Sequence, residues 1–189
     1  MTVRTEHLLA AAARRLERPA ELVLSAGPVR RRLRRRALRA WEASEAPLFL
    51  CYGNVNRSAF AEALVRDRTE KRPASAGFYD VPDRPSSENA IASAAALGVD
   101  LASHRSTVAT SEQLSGADAI FVFDLENAVQ VALRNPRALR RTHLVGSLDG
   151  GRPVLIRDPH GRGPDEPART FARIARAVWS AGASDGGRL

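Results

Sequence analysis

The sequence predicts an α/β protein: a doubly wound, four-stranded parallel sheet with flanking helices, preceded by a helical N-terminal extension. Three observations lead to this. From Pro47 onward, short apolar runs alternate with helical stretches, the pattern of a parallel sheet joined by crossover helices. The 189 residues suffice for one core without disulfides or metals. Charge, finally, separates the start of the chain from the rest. Residues 1–45 hold 11 arginines against 5 glutamates, whereas the net charge of the whole chain is only +8. The expected organisation is therefore a basic helical extension over residues 1–45 and a globular domain over residues 46–189.

Taken in order, His7 to Glu21 is rich in Ala, Leu and Arg and predicts a helix, with a break expected near Pro19. Residues 25–44 (SAGPVRRRLRRRALRAWEAS) predict a second helix, in which Val29, Leu33, Ala37 and Trp41 fall four apart as one apolar stripe among arginines. That pattern fits a solvated helix laying its stripe on the domain. The arginines of residues 29–40 also suit an acidic partner or an anionic surface. Nucleic acid is not expected, because interleaved aromatics and a recognised binding module are both missing.

Strands are expected at 47–51, 73–78, 118–124 and 142–147. Helices are expected at 57–71, with Phe60, Ala61 and Leu64 on one face, at 87–98 with Gly98 as its stop, at 125–135 closed by Pro136, and at 166–182.

Composition narrows the chemistry. One cysteine, Cys51, excludes an internal disulfide and a Cys-based zinc site, and the four histidines are scattered without ligand spacing. There is no run of about 18 apolar residues, and Arg4 and Glu6 interrupt the start of the chain, so a soluble cytoplasmic protein without a transmembrane segment is expected.

The stretch FLCYGNVNRSAF (49–60) carries the chemistry. Cys51 ends the first strand, and sheets of this kind bind ligands beyond the carboxyl ends of their strands. A loop leading into a helix gathers backbone N–H groups at one point and adds the positive end of the helix dipole, so it binds anions. Gly53 permits close approach or a positive φ, and Asn54 is among the few other residues that tolerate the left-handed region. Arg57 offers a planar fork for two phosphate oxygens. Thiols in such fields ionise more readily, and the thiolate is the nucleophile. A buried, inert cysteine at a strand end is the plainer alternative. Gly, Asn, Arg and Ser at fixed offsets from one Cys occur by chance on the order of once in ten thousand, which argues for the functional reading.

CYGNVNRS resembles the phosphate-binding loop of the low-molecular-weight protein tyrosine phosphatases, and the resemblance continues, in order, through SAG (75–77), GVDLASHRS (98–106), AIFVFDLEN (119–127) and IRDPHG (156–161). It covers about residues 46–182 and leaves the extension outside. It implies that Cys51 attacks phosphorus and that Arg57 and the amides of Tyr52, Gly53, Asn54, Val55 and Asn56 hold the phosphate. It also implies that Ser58 supports the thiolate, that Asn54, Ser75 and His104 brace the loop, and that Asp158 is the general acid. Neither a metal nor an organic cofactor is implied. Alone, an Asp before Pro in a Gly- and Pro-rich loop reads as a turn residue.

Departures from the family pattern bear on redox control and substrate. Asn56 replaces a second loop cysteine, Ala59 replaces a proline, and His160 stands where many relatives have tyrosine. Phe78 and Tyr79 are the candidates for the aromatic wall of the substrate pocket. Val55, where relatives resembling arginine-phosphate phosphatases carry threonine, favours phosphotyrosine in a protein substrate. Thioredoxin-coupled arsenate reductases share the loop but relay a disulfide through further cysteines, which this chain lacks. A phosphate- or phosphotyrosine-binding module without turnover is the alternative to an enzyme.

Overall fold

The computed structural model describes the backbone of residues 3–184 and the side chains of residues 12–182. Four short strands, β1 (Leu48–Cys51), β2 (Ala74–Gly77), β3 (Ile120–Val122) and β4 (Thr142–Leu144), form one parallel sheet in the order β2-β1-β3-β4. Leu50 of β1 is paired with Ala76 on one side and Val122 on the other. Successive side chains on a strand face opposite ways, and each face here has its own core. Phe49, Cys51, Phe121 and Phe123 belong to one, Leu48, Leu50, Ile120 and Val122 to the other. That is why the β1 and β3 runs are continuously apolar rather than alternating.

Among the described residues, seven α-helices surround the sheet. These are α1 (Val3–Leu24), α2 (Gly27–Ala43), α3 (Arg57–Arg68), α4 (Glu88–Ala95), α5 (Ser111–Gly116), α6 (Leu125–Arg134) and α7 (Glu166–Ser184). On the first face, α3 meets α7 through Phe60 and Phe171, whose rings stack 4.3 Å apart. Phe60, Ala61 and Leu64 are all fully buried, as the α3 pattern predicts. The second core takes Leu114 from α5 and Val131 from α6.

The expected break at Pro19 does not occur. Pro19 lies inside α1 and the chain turns only at Ser25–Ala26, with Pro28 in the first turn of α2. Proline costs the helix one hydrogen bond, and here the packing of α1 along α6 outweighs that loss. The α2 stripe buries only its C-terminal half: Ala37 and Trp41 are fully buried, while Val29 is exposed. Trp41 meets Phe121 edge-on at 5.8 Å, and Lys71 donates to the α2 carbonyls of Trp41 and Ser44 at 2.9 and 2.7 Å, a cation at the negative end of the helix. The end of the extension is thus part of the main core.

Two further differences are local. Thr142–Leu144 leaves the strand early for a 3₁₀ turn, Val145–Ser147. Residues 111–116 form α5, started by a reciprocal cap between Thr110 and Gln113. Among the described residues no helix is long and apolar enough to cross a membrane.

Candidate active site

Cys51 closes β1, and residues 52–56 wrap its thiol before α3 begins at Arg57. Asn54 N–H points at Cys51 Sγ from 3.2 Å, and Ser58 Oγ lies 3.0 Å from it. The thiol therefore faces donors from two directions inside a buried loop.

The loop is held in a conformation that a free chain rarely visits. Asn54, not Gly53, takes the positive φ of 51°, a strained region for a residue with a side chain. Its partners hold it there. Asn54 Nδ2 donates to Ser58 Oγ at 2.9 Å and to Ser75 Oγ at 2.7 Å, while Oδ1 accepts from Thr107 N at 2.8 Å. His104 Nε2 donates to the Asn54 carbonyl at 2.6 Å, and Ser75 passes its own proton on to Glu62 at 2.5 Å. Gly77 explains the rest of the SAG segment, because a Cβ there would stand 2.9 Å from the Tyr52 carbonyl and 3.0 Å from Asn54. Ser75 and His104 thus meet Asn54; Glu62 and Thr107 complete the set and are invisible in the motif.

Arg57 is the charged centre. Its side chain is 1% exposed. Nη1 donates to Asp124 at 2.5 Å and to the Ile156 carbonyl at 3.0 Å, Nη2 to Asp158 at 2.7 Å, and Phe123 lies under the guanidinium at 5.5 Å. Burial works against the charge, but Asp124, Asp158 and Cys51 more than offset it, so the guanidinium holds its proton more tightly than usual. Its Nε is buried without a protein partner. Asp124 also caps α6 through Asn127 N at 2.8 Å. The motif does not reveal Asp124, yet it ends an apolar run beside β1, where this architecture concentrates chemistry.

Asp158 is partly exposed. One carboxylate oxygen meets Arg57 and the other accepts the His160 N–H at 3.0 Å. His160 enters through its backbone, its side chain exposed. Phe78 does not stand at the mouth: it is 3% exposed, lies in the second core and carries Arg134 over its ring at 5.0 Å. Tyr52 and Tyr79 pair beside the loop with ring centres 5.8 Å apart. Arg84 covers Tyr79 at 4.4 Å and donates to the Gly53 carbonyl at 2.5 Å. Val55 is half-buried in the loop and Asn56 buried.

Residues of α1 also reach this region. Arg14 pairs with Glu126 at the start of α6, and Glu17 lies 3.6 Å from Arg157. Burial, with Asp124 close by, raises the Glu17 carboxyl above its ordinary range. Burial also raises Glu126, although Arg14 opposes it. A thiol wrapped by its loop, a buried guanidinium at the start of the following helix and a partly exposed carboxylate on that guanidinium form a set that can capture an oxyanion, attack it and exchange a proton with it.

A sequence model described as low molecular weight phosphotyrosine protein phosphatase matches residues 47–181. The low molecular weight protein-tyrosine-phosphatase Etp of Escherichia coli K12 is 29% identical over 131 residues, covering 69% of this chain and 87% of Etp. Among solved structures, the Erwinia amylovora tyrosine phosphatase AmsI superposes with a TM-score of 0.68 at 25% identity, over 75% of this chain and 93% of its own. Vibrio vulnificus Wzb in complex with benzylphosphonate gives 0.67 at 26% identity, over 73% and 98%.

Proposed function

The chain belongs to the low molecular weight phosphotyrosine protein phosphatase family, and from that premise we propose that residues 46–189 hydrolyse phosphotyrosine in proteins through a phosphocysteine intermediate. The family is enzymatic, and this chain is a protein-tyrosine-phosphatase by membership. The observation that carries the mechanistic reading is Arg57, buried between the loop around Cys51 and the carboxylate of Asp158.

The substrate phosphate enters the loop and takes Nε and Nη2 of Arg57, displacing Asp158 from the guanidinium. Cys51 Sγ attacks phosphorus from the side opposite the ester oxygen. Asp158, released from Arg57, takes up a proton from solvent; the P–S bond forms, the P–O bond breaks, and Asp158 passes that proton to the departing phenolate. Water then attacks the phosphocysteine, Asp158 takes a proton from it, and inorganic phosphate leaves with the thiolate restored. Ser58 and the Asn54 amide support the sulfur in both steps. Preorganised donors of this kind act where charge develops, in a site that need not reorganise.

Tyr52 and Tyr79 support the phosphotyrosine reading, since their paired rings beside the loop offer an aromatic wall. Benzylphosphonate, bound by the Vibrio relative, has the same ring-and-anion form. A binding module without turnover would gain nothing from a carboxylate held against the phosphate-binding guanidinium, so that feature favours catalysis. The exposed arginines 31, 32, 35, 36 and 39 of α2 remain suited to an acidic partner or anionic surface.

Metal-free hydrolysis of para-nitrophenyl phosphate tests the reading. Cys51→Ser should abolish turnover, and inactive wild-type protein would overturn the assignment.

A further inference from the structure

Glu21 lies in the extension, outside the residues that the family model matches, yet it touches the segment that delivers Asp158. Its two carboxylate oxygens accept the backbone N–H groups of Val154 and Leu155, both at 2.8 Å. Ser25, just past the end of α1, donates to the same carboxylate and orients it. The next amide, Ile156 N–H, donates to the Phe123 carbonyl at 2.8 Å, and the Ile156 carbonyl accepts from Arg57 at 3.0 Å. Three consecutive amides are thus all engaged, and Asp158 follows two residues later.

The rest of the segment is tied at the same place. Arg152 donates to the Ser25 carbonyl at 2.8 Å, and Arg173 of α7 donates to the Pro153 carbonyl at 3.0 Å. Gly146 admits the Val154 carbonyl to within 2.2 Å of where a Cβ would sit. The side chains of Val154, Leu155 and Ile156 are buried, and the bonds from Val154 and Leu155 to Glu21 are themselves partly buried. Hydrogen bonds to a charged acceptor are the strong ones, and a buried donor left without its acceptor moves the backbone or loses stability.

We infer that Glu21 is a positioning residue for the proton donor: its carboxylate fixes the backbone of residues 154–156 and so sets Asp158 against Arg57 and the leaving oxygen. This rests on the reading of Asp158 as general acid. The extension thereby becomes part of the catalytic apparatus, acting through the loop without touching substrate.

The test uses the full chain and two substrates, phenyl phosphate with a poor leaving group and 2,4-dinitrophenyl phosphate with a good one. A misplaced acid slows the first selectively. In Glu21→Ala, kcat/KM for phenyl phosphate should fall at least about tenfold while the value for the dinitrophenyl ester stays within about twofold. Inhibition by inorganic phosphate should tighten, in the direction of Asp158→Asn, because a loosened Asp158 competes less for Arg57. Glu21→Gln, which keeps one acceptor, should show the same selectivity in smaller measure and serves if the alanine variant does not fold. Asp158→Asn is the reference. If it is selective and the folded Glu21 variants are not, this inference is overturned alone. If Asp158→Asn slows both substrates equally, the proton-donor reading falls, and the inference falls with it.

Discussion

Arg57 and Asp158 are joined at 2.7 Å through Nη2, the donor that the proposed mechanism gives to an incoming phosphate. On that proposal the resting site holds its acid and its anion receptor in a pair that substrate must open. Asp158→Asn removes both the charge that competes for Arg57 in the resting site and the group that would carry the proton once substrate has displaced it. Turnover of para-nitrophenyl phosphate should fall about a hundred- to ten-thousandfold, while inorganic phosphate should inhibit more tightly than in wild type. Steady-state kinetics with phosphate as competitive inhibitor check both at once, and weaker inhibition would show that the pair assists phosphate rather than opposing it.

Asp124 faces the other side of the guanidinium, and both side chains are almost fully buried. Breaking one partner of such a pair leaves an uncompensated charge and costs about 3–5 kcal/mol. Asp124→Ala should lower the melting temperature by about 6–20 °C, at roughly 2–4 °C per kcal/mol for a chain of this size. Calorimetry of the variant measures it, and a melting temperature within a degree or two of wild type would deny the pair that role.

Asn54 spends its whole side chain on the loop, with Nδ2 bonded twice and Oδ1 to Thr107, at a φ of 51°. Asn54→Ala loses these bonds and keeps the strain. Stability should fall by about 1–3 kcal/mol, and kcat/KM should fall with it because the Asn54 amide no longer points at Cys51. Urea denaturation alongside kinetics separates the two effects.

How much of this was legible depends on range. Cys51, Asn54, Arg57 and Ser58 sit within eight residues at a strand end, and local spacing with strand-to-helix alternation suffices to find them. Phe78 misleads because strand period places it on the face of Ala76, both in the second core, while its neighbour Tyr79 stays 40% exposed. Pro19 reads as a break from propensity alone, and packing on α6 overrides propensity. Glu21 meets Val154 across 133 positions, and no local pattern carries such a contact.

Cys51 is the single thiol of the chain, and Asn56 occupies the place of the second loop cysteine. A sulfenic acid formed on Cys51 has no neighbour with which to close a disulfide, so further peroxide carries it to the irreversible acids. Activity lost to a brief peroxide pulse should not return with dithiothreitol, and Asn56→Cys should restore part of the recovery. Full recovery in wild type would mean that another nucleophile traps the first oxidation product.

His143 on β4 gives the fold a pH limit separate from catalysis. Burial, aided by Arg36 on α2, lowers its pKa to about 4. The unfolded chain binds this proton near the ordinary value of about 6.5. Between the two values the unfolded state holds more protons, so stability falls as pH drops from about 6.5 toward about 4. At about 1.4 kcal/mol for each pH unit between them, the loss is at most about 3.5 kcal/mol. That corresponds to a decline of up to about 7–14 °C in melting temperature, superimposed on the acid response of the carboxylates. In His143→Leu this component should vanish while the rest of the profile stays. Melting curves of the two proteins from pH 7 to pH 4 measure the difference, and parallel profiles would show that His143 charges in place without cost.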